Sequence, residues 1–316
     1  MNFCEFYTDG QGGSAMRDYL RMLICVGSSF ILLPIFIVHI SGIEVRNHQI
    51  LEKETIQQKE EKDIISEEVL IGILAKEIPY TYETEAIKAQ AVVARTYMAR
   101  RILGIQKQGA IVGYTEKEMR ILWGEEQYKE IYATYKKAVE ATARKLVMYE
   151  NKPIEALYHE ASSGRTRDAK SVYKQEVPYL KGVESNVDKV SDQVECSKEK
   201  MIDILKEAYP SIVVDAYSLE KQIQVVKKDE AGYVNAMQIG NVTLSGEEIK
   251  GLFNLPSCAF KIYSSEDKMI FDVRGIGDGI GLSVNGANEL AKQGMLYEEI
   301  LKYYYTDVTI EEYEVQ

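Results

Sequence analysis

Apolar residues recur at helical spacing on both sides of Pro79. On the amino-terminal side, the apolar positions of one helical face are Val69, Leu70, Ile73 and Leu74. Proline disfavours the helical conformation of the residue before it, so this first helix is expected to end at Lys76 or Glu77.

A second helix is predicted after Pro79, with Thr81 or Thr84 as its N-cap and a stop near Gly104. Its predicted buried face consists of Ile87, Ala91, Ala94, Met98 and Ile102. Its many alanines make this helix thin, which predicts a tightly packed central element. Arg95 lies among small residues and is a candidate for a buried ion pair.

The rest of the chain mixes helices and short strands without a regular βαβ rhythm. Helices are predicted over 125–144 and 198–209, from Ser245, around 288–292 and over 297–305. Strands are predicted at 146–149, 154–158, 222–226 and 268–273, with Asn151 in the turn between the first two. This order favours an α+β fold, with one domain and a substrate cleft, over a doubly wound sheet.

One long apolar segment precedes these elements. Met22–Ile40 contains no Asp, Glu, Lys or Arg over 19 residues, which favours a membrane span over a buried core helix. A cleaved signal peptide is disfavoured because His39-Ile40-Ser41 is a poor cleavage site. The predicted organisation is a leader (1–21), a transmembrane anchor (22–43), a juxtamembrane spacer (44–63) and a domain (64–316). Flanking positive charge is nearly balanced, so it leaves the orientation open.

Composition excludes some classes of function. The 316-residue chain has a net charge of −11, which argues against nucleic acid as a partner. Its three histidines are scattered, so neither a metal site nor a cofactor is predicted. Cys196 and Cys258 could form one disulfide if the domain is exported, or stay free.

Glu77 is the candidate for acid catalysis. It lies at a predicted helix C-terminus, where the helix dipole disfavours the ionised carboxylate and raises its pKa. A carboxyl group that stays protonated near neutral pH can act as a general acid. The alternative is an ordinary solvated glutamate at a helix end. Glu83 and Glu85 are poorer candidates because a helix N-terminus lowers carboxyl pKa.

A glycine run, Gly275-Ile-Gly-Asp-Gly-Ile-Gly281, follows the last predicted strand. Its glycines alternate, so the dinucleotide-binding spacing GxGxxG fails in every register. Alternating glycines allow the backbone to approach a ligand or another strand closely, with Asp278 at the centre.

Four segments together resemble the stage II sporulation protein D (SpoIID/LytB) family. The most specific is EIPYTYETEAIKAQAVVARTYMARR, and three others follow in the family's order: AVEATARKLVMYENKPIEALYHEASSGRT, VPYLKGVES and GIGDGIGLSVNGANELAKQGMLYEEILKYYYTDVTI. The similar region covers about residues 64–311.

The resemblance implies a membrane-anchored protein, exported to face the cell wall, with lytic transglycosylase activity on denuded peptidoglycan glycan strands during engulfment. A peptidoglycan amidase and a membrane anchor protein are the implied partners. The family's catalytic acid corresponds to Glu77, although Ile78 replaces a methionine.

The resemblance also implies a substrate groove. It places His159, Ser162, Ser163 and Gly164 near this groove. Arg95, Asp278 and Ser283 are further candidates for substrate binding. The resemblance also brings Arg165 and Thr166 near the sugar, although turn formation explains the two serines equally well.

The glycine block departs from the family pattern, since Asp278 replaces a histidine. This change leaves two hypotheses for Asp278: reduced activity, or a second working carboxylate. It also keeps open an alternative function, a non-catalytic peptidoglycan-binding protein that enhances a partner amidase.

Overall fold

The computed structural model describes residues 66–105 and 111–313. The predicted leader, anchor and spacer lie outside these residues. Within the described part, no helix combines the length and the apolar character needed to cross a membrane.

The described residues mix helices and short strands, which confirms the α+β class. They form two compact units. The larger unit contains residues 66–105, 111–191, 229–232 and 274–313, and the smaller unit contains 192–228 and 233–273. Each unit has its own cluster of buried apolar side chains.

The α-helices of the described residues are α1 (Glu67–Glu77), α2 (Thr84–Ile102), α3 (Glu116–Ala141), α4 (Ala169–Tyr173), α5 (Lys198–Ala208), α6 (Gly246–Phe253), α7 (Val284–Lys292) and α8 (Tyr297–Tyr304). The strands are β1 (Lys145–Tyr149), β2 (Lys152–Pro153), β3 (Tyr158–His159), β4 (Ser191–Ser197), β5 (Ile223–Lys228), β6 (Val234–Ile239), β7 (Val242–Leu244), β8 (Phe260–Ser265), β9 (Lys268–Arg274), β10 (Leu282–Ser283) and β11 (Thr309–Glu312).

These strands form four small sheets. In the larger unit, β1 lies between β11 and β2, and β3 pairs with β10 in parallel. The other two sheets have the orders β4-β9-β8 and β5-β6-β7. The short parallel pair matters most for the site, because it joins two segments more than a hundred residues apart in sequence.

Helix α1 ends at Glu77, as the position of Pro79 predicted. The preceding helix turn packs directly on another backbone segment. A Cβ atom at Gly72 would overlap the carbonyl oxygen of Tyr114, and one at Gly113 would overlap the backbone of Gly72. Tyr114 N–H donates to Gly72 O at 2.9 Å. Glycine at position 72 therefore permits the close contact that places α1.

The substitution Gly72→Ala is expected to lower the free energy of unfolding by about 1–3 kcal/mol, because backbone atoms must move to accommodate the methyl group. Gly251→Ala is the control, since Gly251 lies within α6 with open space around its would-be Cβ. That control is expected to stabilise the protein by about 0.5–1 kcal/mol. Urea unfolding measures both; equal effects would contradict the packing role of Gly72.

Helix α2 is buried on most sides over residues 86–96, which confirms the predicted central element. Two details were wrong. Ile102 is 53% exposed rather than buried. Neither Thr81 nor Thr84 caps the helix, because Glu83 is the N-cap residue and its N–H donates to Asn288 Oδ1 at 2.8 Å. A side chain from α7 thus satisfies the backbone N–H of the N-cap residue itself, whereas a threonine cap would have accepted from the N–H groups of the first turn.

Helix α3 begins at Glu116, earlier than predicted, and is interrupted at Gly124 (φ 70°, ψ 164°). Thr115 and Glu118 form a capping box at its start. After the interruption the helix buries one face, which consists of Tyr128, Ile131, Tyr135, Ala138 and Val139.

The hairpin after α3 is confirmed, with both Glu150 and Asn151 at positive φ in its turn. The strand predicted over 154–158 was wrong. Ile154 and Ala156 are buried, but ladder pairing is restricted to Tyr158–His159. The apolar alternation therefore reflected burial of a connecting segment.

Both Cys196 and Cys258 are buried and free, so the possible disulfide is absent from the described structure. They lie in the smaller unit. Burial raises the pKa of the Cys196 thiol, which disfavours the reactive thiolate.

Candidate functional site

The carboxyl group of Glu77 lies at the end of α1, half-buried, where it accepts a hydrogen bond from the Tyr158 hydroxyl. The backbone after it is held in place, because Tyr135 donates its hydroxyl hydrogen to Ile78 O at 2.6 Å. Removal from solvent raises the pKa of Glu77, while the Tyr158 hydrogen bond and the charge of Lys76 act against this rise. The predicted direction of the shift is confirmed, with burial as its largest cause.

Tyr158 is a functional candidate that the sequence analysis missed. Its phenol is buried, and burial together with the nearby Glu77 carboxylate raises its pKa, so the hydroxyl stays a donor. The available signal was its position immediately before His159 in a polar block. The register of β3 with β10 pairs Tyr158 with Leu282 and His159 with Ser283. This pairing brings the second block and the glycine block together.

The substitution Tyr158→Phe is expected to raise the pKa of Glu77 further, because it removes a hydrogen bond that stabilises the carboxylate. Tyr305→Phe is the matched control: it removes another buried hydroxyl, which donates to Leu157 O at 2.7 Å. Carbon-13 NMR titration of labelled glutamate carboxyls measures the change. A Glu77 titration that is identical in the wild type and Tyr158→Phe would show that the bond does not tune this group.

His159 is the second residue of β3 and is fully buried against the glycine loop (residues 275–281). Its Nδ1 lies 3.1 Å from Ile280 O, and since a carbonyl only accepts, Nδ1 carries the proton. Burial lowers the pKa of His159, against the opposing charges of Asp278 and Asp188. Nε2 has no hydrogen-bond partner within the described residues. The substrate-binding role predicted for His159 stays a prediction.

Asp188 organises the turn that contains the predicted serines, and it too was missed. It accepts hydrogen bonds from Ser162 Oγ at 2.7 Å, Ser162 N at 3.1 Å, Ser185 Oγ at 2.9 Å and Asn285 Nδ2 at 2.9 Å. The Ser162 hydroxyl therefore donates its hydrogen bond to a buried carboxylate within the protein. Asp188 follows the VPYLKGVES block closely, which was the signal available in the sequence.

The neighbouring residues predicted to contact substrate also make contacts within the larger unit. Ser163 Oγ donates to Ala231 O at 2.8 Å, and Gly164 has φ 108° and accepts from Ser185 N at 2.8 Å. Arg165 pairs with Glu184 at the surface, and Thr166 Oγ1 accepts from Val183 N at 2.9 Å. These contacts define the turn, and the substrate roles of its residues stay predictions.

The glycine loop lies against the segment that contains β3, as alternating glycines predicted. Gly277 and Gly281 have positive φ, and a Cβ at Gly281 would overlap the carbonyl oxygen of Leu157. Ser283 Oγ, fully buried, accepts from Gly286 N at 3.0 Å and so caps α7. Close approach to another strand, rather than to a phosphate, accounts for this glycine pattern.

Asp278 lies at the centre of this loop, half-buried. Its Oδ1 accepts from Ile280 N at 3.1 Å, and its backbone oxygen accepts from Arg167 Nη1 at 3.1 Å. Arg167 also pairs with Asp229 at 2.7 Å, and both of these side chains are only 4% exposed. The buried ion pair thus holds the loop in place.

Arg95 is buried as predicted, but it contacts carbonyl groups instead of an acidic partner. It donates to Thr142 O at 2.6 Å and Val139 O at 3.1 Å, where α3 ends. Burial lowers the pKa of Arg95 to about 10, which leaves it charged at neutral pH. A cation suits the negative end of a helix. The part of the chain that the structure describes contains no group of three potential metal ligands.

Comparison with known proteins gives concordant similarities. Residues 54–149 match the SpoIID family profile, described as Stage II sporulation protein. Stage II sporulation protein D of Bacillus subtilis is 31% identical over 263 residues, covering 79% of this chain and 76% of that protein. Its counterpart in Bacillus amyloliquefaciens is 29% identical, covering 79% and 75%. The amidase enhancer of B. subtilis is 24% identical, covering 77% of this chain and 40% of that protein.

Proposed function

Because the chain belongs to the stage II sporulation protein D family, we propose that it is a lytic transglycosylase that cleaves peptidoglycan glycan strands during sporulation. The observation that carries this proposal is the raised pKa of Glu77, a half-buried carboxyl oriented by Tyr158. A carboxyl with a raised pKa keeps its proton to higher pH than an exposed glutamate, which suits it to protonating a leaving-group oxygen.

The proposed reaction needs one carboxyl group. Protonated Glu77 donates its proton to the glycosidic oxygen that joins C1 of a muramic acid to the next sugar, and the bond between that oxygen and C1 breaks. The C6 hydroxyl of the same muramic acid then forms a bond to C1, and Glu77 takes up the hydroxyl proton. The product is a 1,6-anhydro-muramic end, no water is consumed and Glu77 returns to its protonated form. Tethering of the nucleophile to the reacting ring favours this route.

A hydrolase would ordinarily use a second carboxyl group. Asp188 is poorly suited to that role, because its two oxygens accept four hydrogen bonds from the surrounding turn. Asp278 Oδ1 accepts a backbone hydrogen bond within the glycine loop. Because both carboxyl groups already accept hydrogen bonds from the protein, they are poorly suited to activating water, which favours transglycosylation over hydrolysis.

The proposal includes a location and partners. The apolar segment Met22–Ile40 would anchor the protein, with residues 64–316 on the extracytoplasmic side, where peptidoglycan lies. An amidase that strips stem peptides would supply the denuded strands, and a membrane anchor protein of the engulfment machinery would be a further partner.

Product analysis tests the proposal. The full-length protein is incubated with glycan strands lacking stem peptides, and the products are analysed by mass spectrometry. Anhydro-muramic ends are expected. Reducing muramic ends carrying solvent oxygen would show hydrolysis instead, and intact strands would show that the protein does not cleave this substrate.

A second candidate function is enhancement of an amidase without glycan cleavage. It is favoured by the similarity to a protein named amidase enhancer and by Asp278 in the glycine block. Amidase activity on intact peptidoglycan is measured with the wild type and with Glu77→Gln. Equal stimulation by both, with no anhydro product from either, would support this function in place of the first.

A further inference from the structure

A cavity in the larger unit has a lining that includes neither Glu77 nor Tyr158. Its volume is about 450 Å³, and it is lined by Glu155, Tyr173, Gln175, Glu176, Val177, Pro178 and Tyr179. This volume falls within the range typical of small-molecule sites. Neither the proposed reaction nor the predicted substrate groove uses these residues.

The lining of the cavity combines aromatic and apolar surface with polar groups. Tyr173 is 42% exposed and presents ring surface, next to Val177 and Pro178. The side chains of Glu155 and Gln175 make no hydrogen bond to other residues in the described structure. A sugar ring has the matching chemistry, since its C–H face packs on an aromatic ring and its hydroxyl groups reach carboxylates and amides.

The cavity wall is held in place before any ligand arrives. The Tyr179 ring packs against Tyr149 with centroids 5.5 Å apart, and its hydroxyl accepts from Glu155 N at 3.1 Å. Lys174 adopts a left-handed conformation that ends α4. Such preorganisation lowers the entropic cost of binding.

The charge of the cavity narrows the class of sugar. Lys181 donates to Glu176 at 2.7 Å and lowers its pKa, so that carboxylate is ionised at neutral pH. The Lys181 cation offsets the charge of Glu176, so within the described structure Glu155 is the acidic side chain of the lining that forms no ion pair, and it disfavours the lactyl carboxylate of muramic acid. N-acetylglucosamine, the neutral sugar of a peptidoglycan strand, does not meet this repulsion.

The cavity is also close to the proposed reaction centre along the chain. Glu155 precedes Tyr158 by three residues, a span of at most about 11 Å between Cα atoms. We propose that this cavity is an accessory subsite for an N-acetylglucosamine unit of the glycan strand whose cleavage Glu77 performs. The inference rests on the proposed function for its choice of ligand.

Binding of tetra-N-acetylchitotetraose to the full-length protein, measured by calorimetry, tests the subsite. The double variant Tyr173→Ala/Gln175→Ala is expected to bind about tenfold more weakly or worse. Both side chains are exposed, so the fold is expected to persist, as circular dichroism would verify. Tyr217→Ala is the control, because Tyr217 is 98% exposed and lies in the smaller unit. Wild-type affinity in the double variant, or no binding by the wild type, would overturn the proposal.

Two further readouts separate this inference from the proposed function. In glycan cleavage, the double variant is expected to raise KM while leaving kcat nearly unchanged. Glu77→Gln is expected to retain chitotetraose binding. If the wild type cleaves strands with an unchanged KM in the double variant, the subsite fails and the function stands. If binding depends on Tyr173 but no strand is cleaved, the function fails and the subsite stands.

Discussion

Glu77→Gln is expected to reduce the formation of anhydro-muramic ends by about 10²–10⁴-fold, the usual contribution of a general acid. The amide has nearly the same shape as the carboxyl group and can still accept the Tyr158 hydrogen bond. It cannot donate a proton to the glycosidic oxygen and regain one from the C6 hydroxyl. The loss is therefore expected in kcat, measured as anhydro ends formed per unit time.

Glu83→Gln is the matched control, because Glu83 is an exposed carboxylate six residues further along, without a side-chain capping bond. Its activity is expected to equal that of the wild type.

Since the proton must be present on Glu77, wild-type activity is expected to fall as pH rises through the raised pKa of this group. Folding favours protonated Glu77, so its contribution to stability also declines as pH rises from the lower unfolded pKa through the folded one. Full activity in Glu77→Gln would remove Glu77 from the mechanism.

Arg167→Met is expected to lower the free energy of unfolding by about 3–5 kcal/mol, because it leaves the Asp229 carboxylate buried without its cation. The same change removes the bond to Asp278 O and so loosens the glycine loop. Urea unfolding measures the loss. Restoring much of the stability by adding Asp229→Leu would confirm that the unpaired charge is its cause.

Arg165→Met provides the comparison, since Arg165 is only two residues away but pairs with Glu184 at the surface. That substitution is expected to cost no more than about 1 kcal/mol. Similar losses for the two variants would show that burial does not distinguish these ion pairs.

Local signals predicted much of the helical structure. Helix α1 ends where Pro79 indicated, α5 coincides with the helix predicted over 198–209 to within one residue, and α6 begins after Ser245 as predicted. Each of these signals acts within a few residues, through proline sterics or a capping side chain. Turn formation at Glu150-Asn151 is local in the same sense.

Strands were less predictable because their pairing is long-range. Polar β4 and short β11 show little apolar alternation, and β11 pairs with β1, which lies about 160 residues earlier. The predicted strand over 154–158 showed the reverse error, because its apolar alternation continues over residues 154–157 outside any strand and only Tyr158 has a ladder partner. Pairing depends on which segments meet in space, and a single segment's pattern does not contain that information.

The sequence by itself determined that Glu77 ends a helix, because proline geometry is a property of the chain alone. It also identified the family, because the four similar segments follow one another in the family's order. The tertiary structure decided what surrounds those residues. Burial raises the pKa of Glu77 and the Tyr158 hydrogen bond opposes that rise, while Asp188 accepts the hydrogen bond of the Ser162 hydroxyl. Desolvation and hydrogen bonding depend on segments that folding brings together from distant positions, so they become defined only when the whole unit has formed.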